Sequence, residues 1–338
     1  MATTHNAPLS SAEIAQIWTS YQQDTMAICS LKYFLETVED PDIAALLQHA
    51  LEMSQSHIPQ LTNFFNGENW PVPNGFTDAD VNLNAPRLYT DGFMLTYLQM
   101  MGILGANAYS AAIGTAARSD IHNYYSTCMT ETVDLHKQAV DLLLDKGMFV
   151  RSPEITPPDR IDFVTAHDFL GKWMGDNRPL TAMEVGNLYA NNQRNILGKS
   201  LLIGFSQVAG DPEVRKHMVK GKEIAEKHVE VFSSKINQDD LPASTTSDAG
   251  ITDSTVAPFS DKLMMFFTSS LIATSIGYYG AAMAVSPRKD IIADYSRLTA
   301  EIMKYSAESA KILIDNGWME EPPQAKDRDQ LAKKNGSD

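Results

Sequence analysis

The residues of this sequence with chemistry to offer recur in the same order along the chain. Gln22, His57 and Glu131 come first, and Gln193, His228 and Glu301 follow. A histidine beside a carboxylate can ligate a metal ion, move a proton, or form a buried hydrogen-bonded pair. A dinuclear carboxylate centre asks for more: four carboxylates and two histidines, with Glu-x-x-His on two helices. No Glu-x-x-His occurs in the sequence. Glu52 and Glu223 each stand five residues before a histidine, about 140° around a helix, so neither shares its face. The first set has extras. Asp134 and His136 lie near Glu131, whereas the matching positions hold Lys304 and Ser306. His49 and Glu52 read as an outward face.

Other chemistries have no footing. There is no glycine-rich phosphate loop, no nucleophile elbow, no His-Glu-x-x-His and no cysteine cluster. The net charge of −15 argues against a nucleic-acid surface, which needs clustered Lys and Arg. The locally basic run Arg215–His228 also carries Glu223 and Glu226, so it reads as a solvated helix face. Two cysteines, Cys29 and Cys128, outside any Cys-x-x-Cys pair, fit a reducing cytoplasm. The N-terminal residues show no basic and apolar regions of a secretion signal. The 16 methionines fall mostly at apolar helix positions and read as core.

What must position the paired residues is a duplication. Leu9-Ser-Ser-Ala-Glu-Ile matches Leu180-Thr-Ala-Met-Glu-Val. At the same offset Asp40-Pro41 meets Asp211-Pro212 and His57 meets His228. After a long loop the offset drops by one. Then Asp91 meets Asp261, Tyr109 meets Tyr279, Arg118-Ser-Asp120 meets Arg288-Lys-Asp290, and Glu131 meets Glu301. A repeat of this length decides the architecture before any local pattern does.

Each copy reads as four helices. The first opens on a capping box, Ser10 to Glu13 or Thr181 to Glu184. It stops before Asp40-Pro41 or Asp211-Pro212, where proline starts the second. Ile43, Leu47, Ala50, Ser54, His57 and Leu61 make a seam along that second helix. A loop of about twenty residues follows, then an uncharged third helix. The fourth ends at Gly147 or Gly317. Short, long and short connections suit a ferritin-like, up-down-down-up bundle. The expected fold is therefore all-α, with two tandem ferritin-like bundles at residues 1–150 and 180–320. A linker with a short helix is expected at 151–179 and a polar, disordered tail at 321–338.

Counting rise along such helices brings Gln22, His57 and Glu131 to one height, and likewise Gln193, His228 and Glu301. Helix three offers only apolar or small residues there, near Ile103 and Ala273. The preferred reading is a hydrogen-bonded trio that holds helix register. The alternative is one ion per bundle, Fe or Mn completed by water, with Asp134 and His136 making the first copy the better host. No other cofactor is expected.

Gly92–Ala117 and Leu263–Ser286 contain no charged residue. Each is long enough to span a bilayer. Their Ser, Thr, Tyr, Gly and Ala content and the lack of a one-sided basic flank favour the central, all-round-buried helix of each bundle. Their small residues suggest that the two bundles pack on each other through these third helices.

Taken together, Phe76-Thr-Asp-Ala-Asp-Val-Asn-Leu-Asn-Ala-Pro-Arg-Leu88, Gly204-Phe-Ser-Gln-Val-Ala209, Pro258-Phe-Ser-Asp-Lys-Leu-Met-Met265 and Asn316-Gly-Trp-Met319 resemble a bacterial tandem ferritin-like family, domain of unknown function number 3231. It occurs in spore-forming bacteria and has distant spore-coat-type relatives. The resemblance implies the fold and carries over no activity and no ligand residue. The expectation is a soluble, non-enzymatic helical protein with a structural or binding role, cytoplasmic or spore-associated and linked to sporulation or stress. Its rivals are a metal-binding ferritin-like oxidase or degenerate descendant, and a membrane-associated protein.

Overall fold

The computed structural model describes residues 7–173, 175, 177–243 and 250–334. Among them are eight long helices in two sets of four and no strand longer than an isolated bridge. The first set is α1 (Ser11–Thr37), α2 (Pro41–Gly67), α3 (Asp91–Thr115) and α4 (Ser119–Asp145). The second is α5 (Ala182–Val208), α6 (Pro212–Asn237), α7 (Asp261–Val285) and α8 (Lys289–Asp315). The pairs α1–α2, α3–α4, α5–α6 and α7–α8 pack along their lengths, and α2–α4, α1–α3, α6–α8 and α5–α7 close each set. The chain is thus all-helical and doubled.

The local signals act as their chemistry requires. Ser10 and Thr181 cap α1 and α5 in capping boxes with Glu13 and Glu184. The same two glutamates reach further than a cap needs. Glu13 accepts the amides of Ala117 and Arg118, and Glu184 accepts that of Arg288, so each box also fixes the start of the fourth helix. Asp91 and Asp261 do more than offset a helix dipole. Thr90 and Ser260 supply the caps of α3 and α7. The two aspartates accept the amides of Glu39 and Asp40, or of Gly210 and Asp211, and pin the α1–α2 or α5–α6 corner to the third helix. Gly147 and Gly317 end the fourth helices at φ +66 and +67, a conformation that glycine adopts without steric cost.

The halves pack together around one shared core. Phe34, Tyr89, Phe93 and Tyr97 of the first half join Phe205, Phe259 and Phe267 of the second, and each half keeps a separate cluster of its own. The third helices take part: the Tyr97 and Phe267 rings lie 6.0 Å apart, and the Asn107 amide donates to the Tyr278 hydroxyl at 2.6 Å. The long loops contribute as well. Asn82 donates to the Pro258 carbonyl and Thr252 to that of Leu88. Tyr89 donates to the Leu201 carbonyl at 2.8 Å, passing over Gly204, where a Cβ would meet the ring.

The small residues of α3 serve mainly another contact. A Cβ on Gly102 would strike His136 and one on Gly105 would strike Thr132, so these glycines admit α4. The expected all-round burial of the uncharged helices is not what forms. Ala108, Ala111 and Gly114 of α3, and Gly277, Gly280 and Ala281 of α7, are exposed. Such short side chains present little apolar area, so water is tolerable there without charge. No helix among the described residues is long and apolar enough to cross a membrane.

The segment 151–179 is irregular, with a 3-10 turn at His167–Leu170 where a short helix was expected, and its residues 174 and 176 lie outside the described ones. Within 321–338 a short helix, α9 (Arg328–Lys334), forms, and residues 335–338 lie outside the described ones. So do residues 1–6 and, in the second long loop, 244–249.

Candidate polar centres and the cavity between them

His57 lies on the buried seam of α2 and is 3% exposed. Its two ring nitrogens face carboxylates on opposite sides. Nδ1 lies 3.3 Å from both oxygens of Asp24 on α1, and Nε2 lies 3.2 Å from Glu131 Oε2 on α4. Asp24 is buried, whereas the Glu131 side chain is 40% exposed and opens the centre to the surface. Cys128, one turn before Glu131, brings its sulfur into the same space. Donor atoms of His57, Cys128 and Glu131 all lie within 4.8 Å of one another. The rings of Tyr109 on α3 and Tyr124 on α4 pack edge-on to the imidazole at 6.2 and 6.0 Å. Helix three therefore does present a large side chain at this level, beyond the small residues of its middle.

Burial alone would depress the His57 pKa, since it penalises the imidazolium. Asp24 and Cys128 outweigh it and raise the value to about 11. Without a metal, His57 is thus held as a cation.

Gln22 does not join this group. It is buried, and its side-chain nitrogen has no hydrogen-bond partner. Asp24, two residues on, takes the place expected of it. The offset is an error of register: two residues on a helix turn the side chain by about 200°. Asp134 is exposed, and His136 is half-buried against Gly102, its pKa lowered by burial. Neither is among the converging donors. His49 and Glu52 are exposed, as expected.

In the second half, His228 is fully buried on α6 with Nε2 3.3 Å from Glu301 Oε2 on α8. Its other nitrogen meets no carboxylate. The Tyr279 hydroxyl stands 2.9 Å from Nδ1 and itself accepts from Asn195 at 2.8 Å. Burial lowers the His228 pKa to about 4 against the pull of Glu301, so the ring is neutral. It donates from Nε2 to Glu301 and accepts from Tyr279 at Nδ1. Glu301 is also held by Lys227 at 2.8 Å. Gln193 hydrogen-bonds Tyr189 on its own helix. Leu298 stands where the first half has Cys128, and Asn195 where it has Asp24.

Sequence reasoning missed Asp24 and Cys128. The duplication points to what both copies keep, and these two positions differ between the copies. The substitutions Asp24 to Asn195 and Cys128 to Leu298 were the available signal.

Between the two centres lies a cavity of about 580 Å³. Asp24 and Tyr109 line its first-half side and Asn195 and Tyr279 its second-half side, with Met101, Leu104, Leu197 and Leu271 among its apolar wall. Its volume falls in the range of small-molecule pockets, and its lining is predominantly apolar.

Comparison with known proteins places most of the chain. A family model described as "Protein of unknown function (DUF3231)" matches residues 1–161 and again 168–331. Among curated proteins none matches. A crystal structure of a candidate spore coat protein from Bacillus halodurans is 21% identical, with a TM-score of 0.38. The match covers 46% of this chain and 98% of that one. The chain belongs to the DUF3231 family, which it matches twice over.

Proposed function

We propose that this DUF3231 protein is a non-enzymatic helical scaffold whose first half is pinned by a centre that takes one divalent metal ion, and whose second half keeps the scaffold without the ion. The supporting observation is the convergence of His57, Cys128 and Glu131, with Asp24 behind the imidazole. A metal-bound histidine commonly gives its other ring N–H to a carboxylate, which fixes the tautomer and sharpens the donor nitrogen. Asp24 stands in that position. One nitrogen, one thiolate and one carboxylate suit a borderline ion of the zinc class better than the Fe or Mn expected for a carboxylate-rich centre. The second half has Asn195, Leu298 and a lysine on Glu301 at the matching places, and each change removes a donor or its support.

The ferritin-like, up-down-down-up arrangement is part of the proposal. It is supported by Asp91 joining the starts of α2 and α3, and by Glu13 joining the starts of α1 and α4. So are the division into bundles at 1–150 and 180–320 and a cytoplasmic or spore-associated location.

Metal analysis of the full chain, purified without chelators, tests the ion. The expected result is about one zinc-class ion per chain, lost in H57Q and in C128S and retained in H228Q. Protein free of metal, or metal that survives H57Q, overturns the proposal.

A further inference from the structure

Several arginines in this fold meet carboxylates, while Arg215 donates to the carbonyls of Ala209 and Gly210. Arg87 pairs with Glu39, Arg118 with Glu68, Arg178 with Glu184 and Arg288 with Asp290. Arg194, in the wall of the cavity, does not. Its guanidinium lies 3.5 Å above the Tyr278 ring, and Nη1 donates to Asn191 Oδ1 at 3.1 Å. Its Nε is buried with no partner. The groups that act on it electrostatically are the hydroxyls of Tyr278, Tyr295 and Tyr279, and burial holds its pKa below the usual arginine range. Asp24 also lines the cavity, but its charge is taken by His57. A ring face, the Tyr278 hydroxyl and a neutral amide compensate a desolvated cation only in part, so the position favours an anion from outside the chain.

The rest of the cavity sets what that anion is attached to. Met101, Leu104, Leu197 and Leu271 offer apolar wall from both halves. At Gly198, one turn beyond Arg194, an added Cβ would meet nothing within 4 Å, so open space runs along α5 from the cation. An inorganic anion would use the cation and waste the wall; a hydrocarbon would do the reverse. We propose that the cavity binds a single-chain amphiphile with an anionic head, a long-chain carboxylate, with its head on Arg194 and its tail along the apolar wall. This site shares no residue with the proposed metal ligands, so either stands or falls alone.

Isothermal titration of the full chain with dodecanoate below its micellar concentration tests it. About one dodecanoate per chain is expected, with dodecanol weaker by about tenfold or more, the usual worth of a hydrogen bond to a charged group. R194Q is expected to bring dodecanoate down to the level of dodecanol while leaving dodecanol unchanged. G198L fills the space on a helix that gains from losing glycine, so both ligands should be excluded from a protein that melts no lower than the wild type. The proposal is overturned by the absence of saturable binding, by equal binding of acid and alcohol, or by dodecanoate affinity unchanged in R194Q or in G198L.

Discussion

His57 and His228 stand at the same place in the two halves, yet one is held as a cation and the other neutral. Both are buried on the second helix, and both reach a glutamate on the fourth at 3.2 or 3.3 Å. What differs lies behind and beside the ring. Asp24 faces one and the Asn195–Tyr279 pair the other, and a thiol stands beside one where a leucine stands beside the other. A buried imidazole loses hydration when it is charged; the glutamate alone does not offset that loss at His228, whereas Asp24 and Cys128 together reverse the balance at His57. The shared His–Glu contact therefore belongs to the scaffold, while the unshared neighbours set the charge and the ligands.

The largest expected effect comes from transplanting those neighbours. N195D with L298C and K227S rebuilds the first centre in the second half, and metal analysis should then find about two ions per chain instead of one. If the count stays at one, the neighbours do not explain the difference between the halves.

Stability should separate the centres next. In metal-free protein, H57A leaves Asp24 buried without its cation, a loss of about 3–5 kcal/mol in denaturant unfolding. H228A leaves a neutral hydroxyl, while Glu301 keeps Lys227, for a loss of about 1–3 kcal/mol. Equal losses would mean that the charge on His57 contributes nothing.

The two rings should also shape opposite limbs of the pH–stability curve. The pKa of His57 is raised from 6.5 to about 11, so without metal its contribution is full below pH 6.5 and is lost as pH rises through 11. That of His228 is lowered to about 4. Its contribution is full above pH 6.5 and is lost as pH falls toward 4. H57Q should flatten the alkaline limb and H228Q part of the acid limb, with His217, also lowered to about 4, and carboxylates held below their usual range, Glu184 and Asp290 among them, keeping the rest. Thermal midpoints across the pH range check the signs, and H57Q acting on the acid limb would refute them. The smallest effect is expected of K227A, under about 1 kcal/mol, because the Lys227–Glu301 pair is partly open to solvent.

Much of this was legible in order of residues alone. The capping boxes, the Asp-Pro corners and the terminal glycines act through neighbours three or four residues away, so a string of letters contains them. The His–Glu pairs were legible because the duplication pointed to them. Gln22 was named in place of Asp24 because counting rise along a helix gives height well and azimuth poorly. Cys128 went unnoticed because a thiol on an apolar helix resembles any small core residue until its sulfur is seen beside Glu131. The clasp of the two long loops, Asn82 on Pro258 and Thr252 on Leu88, joins irregular segments that carry no periodic signal.

The sequence by itself determined a doubled set of four helices, their ends, and which histidine and glutamate each set carries. These follow from periodicity, caps and repetition, all of them local or self-referring. Only the tertiary structure decided which face of α1 meets His57, how the two halves share one core, and that a cavity with an unpaired arginine lies between them. Those depend on the rotation of each helix about its axis and on contacts between residues more than a hundred positions apart, which packing settles and spacing does not.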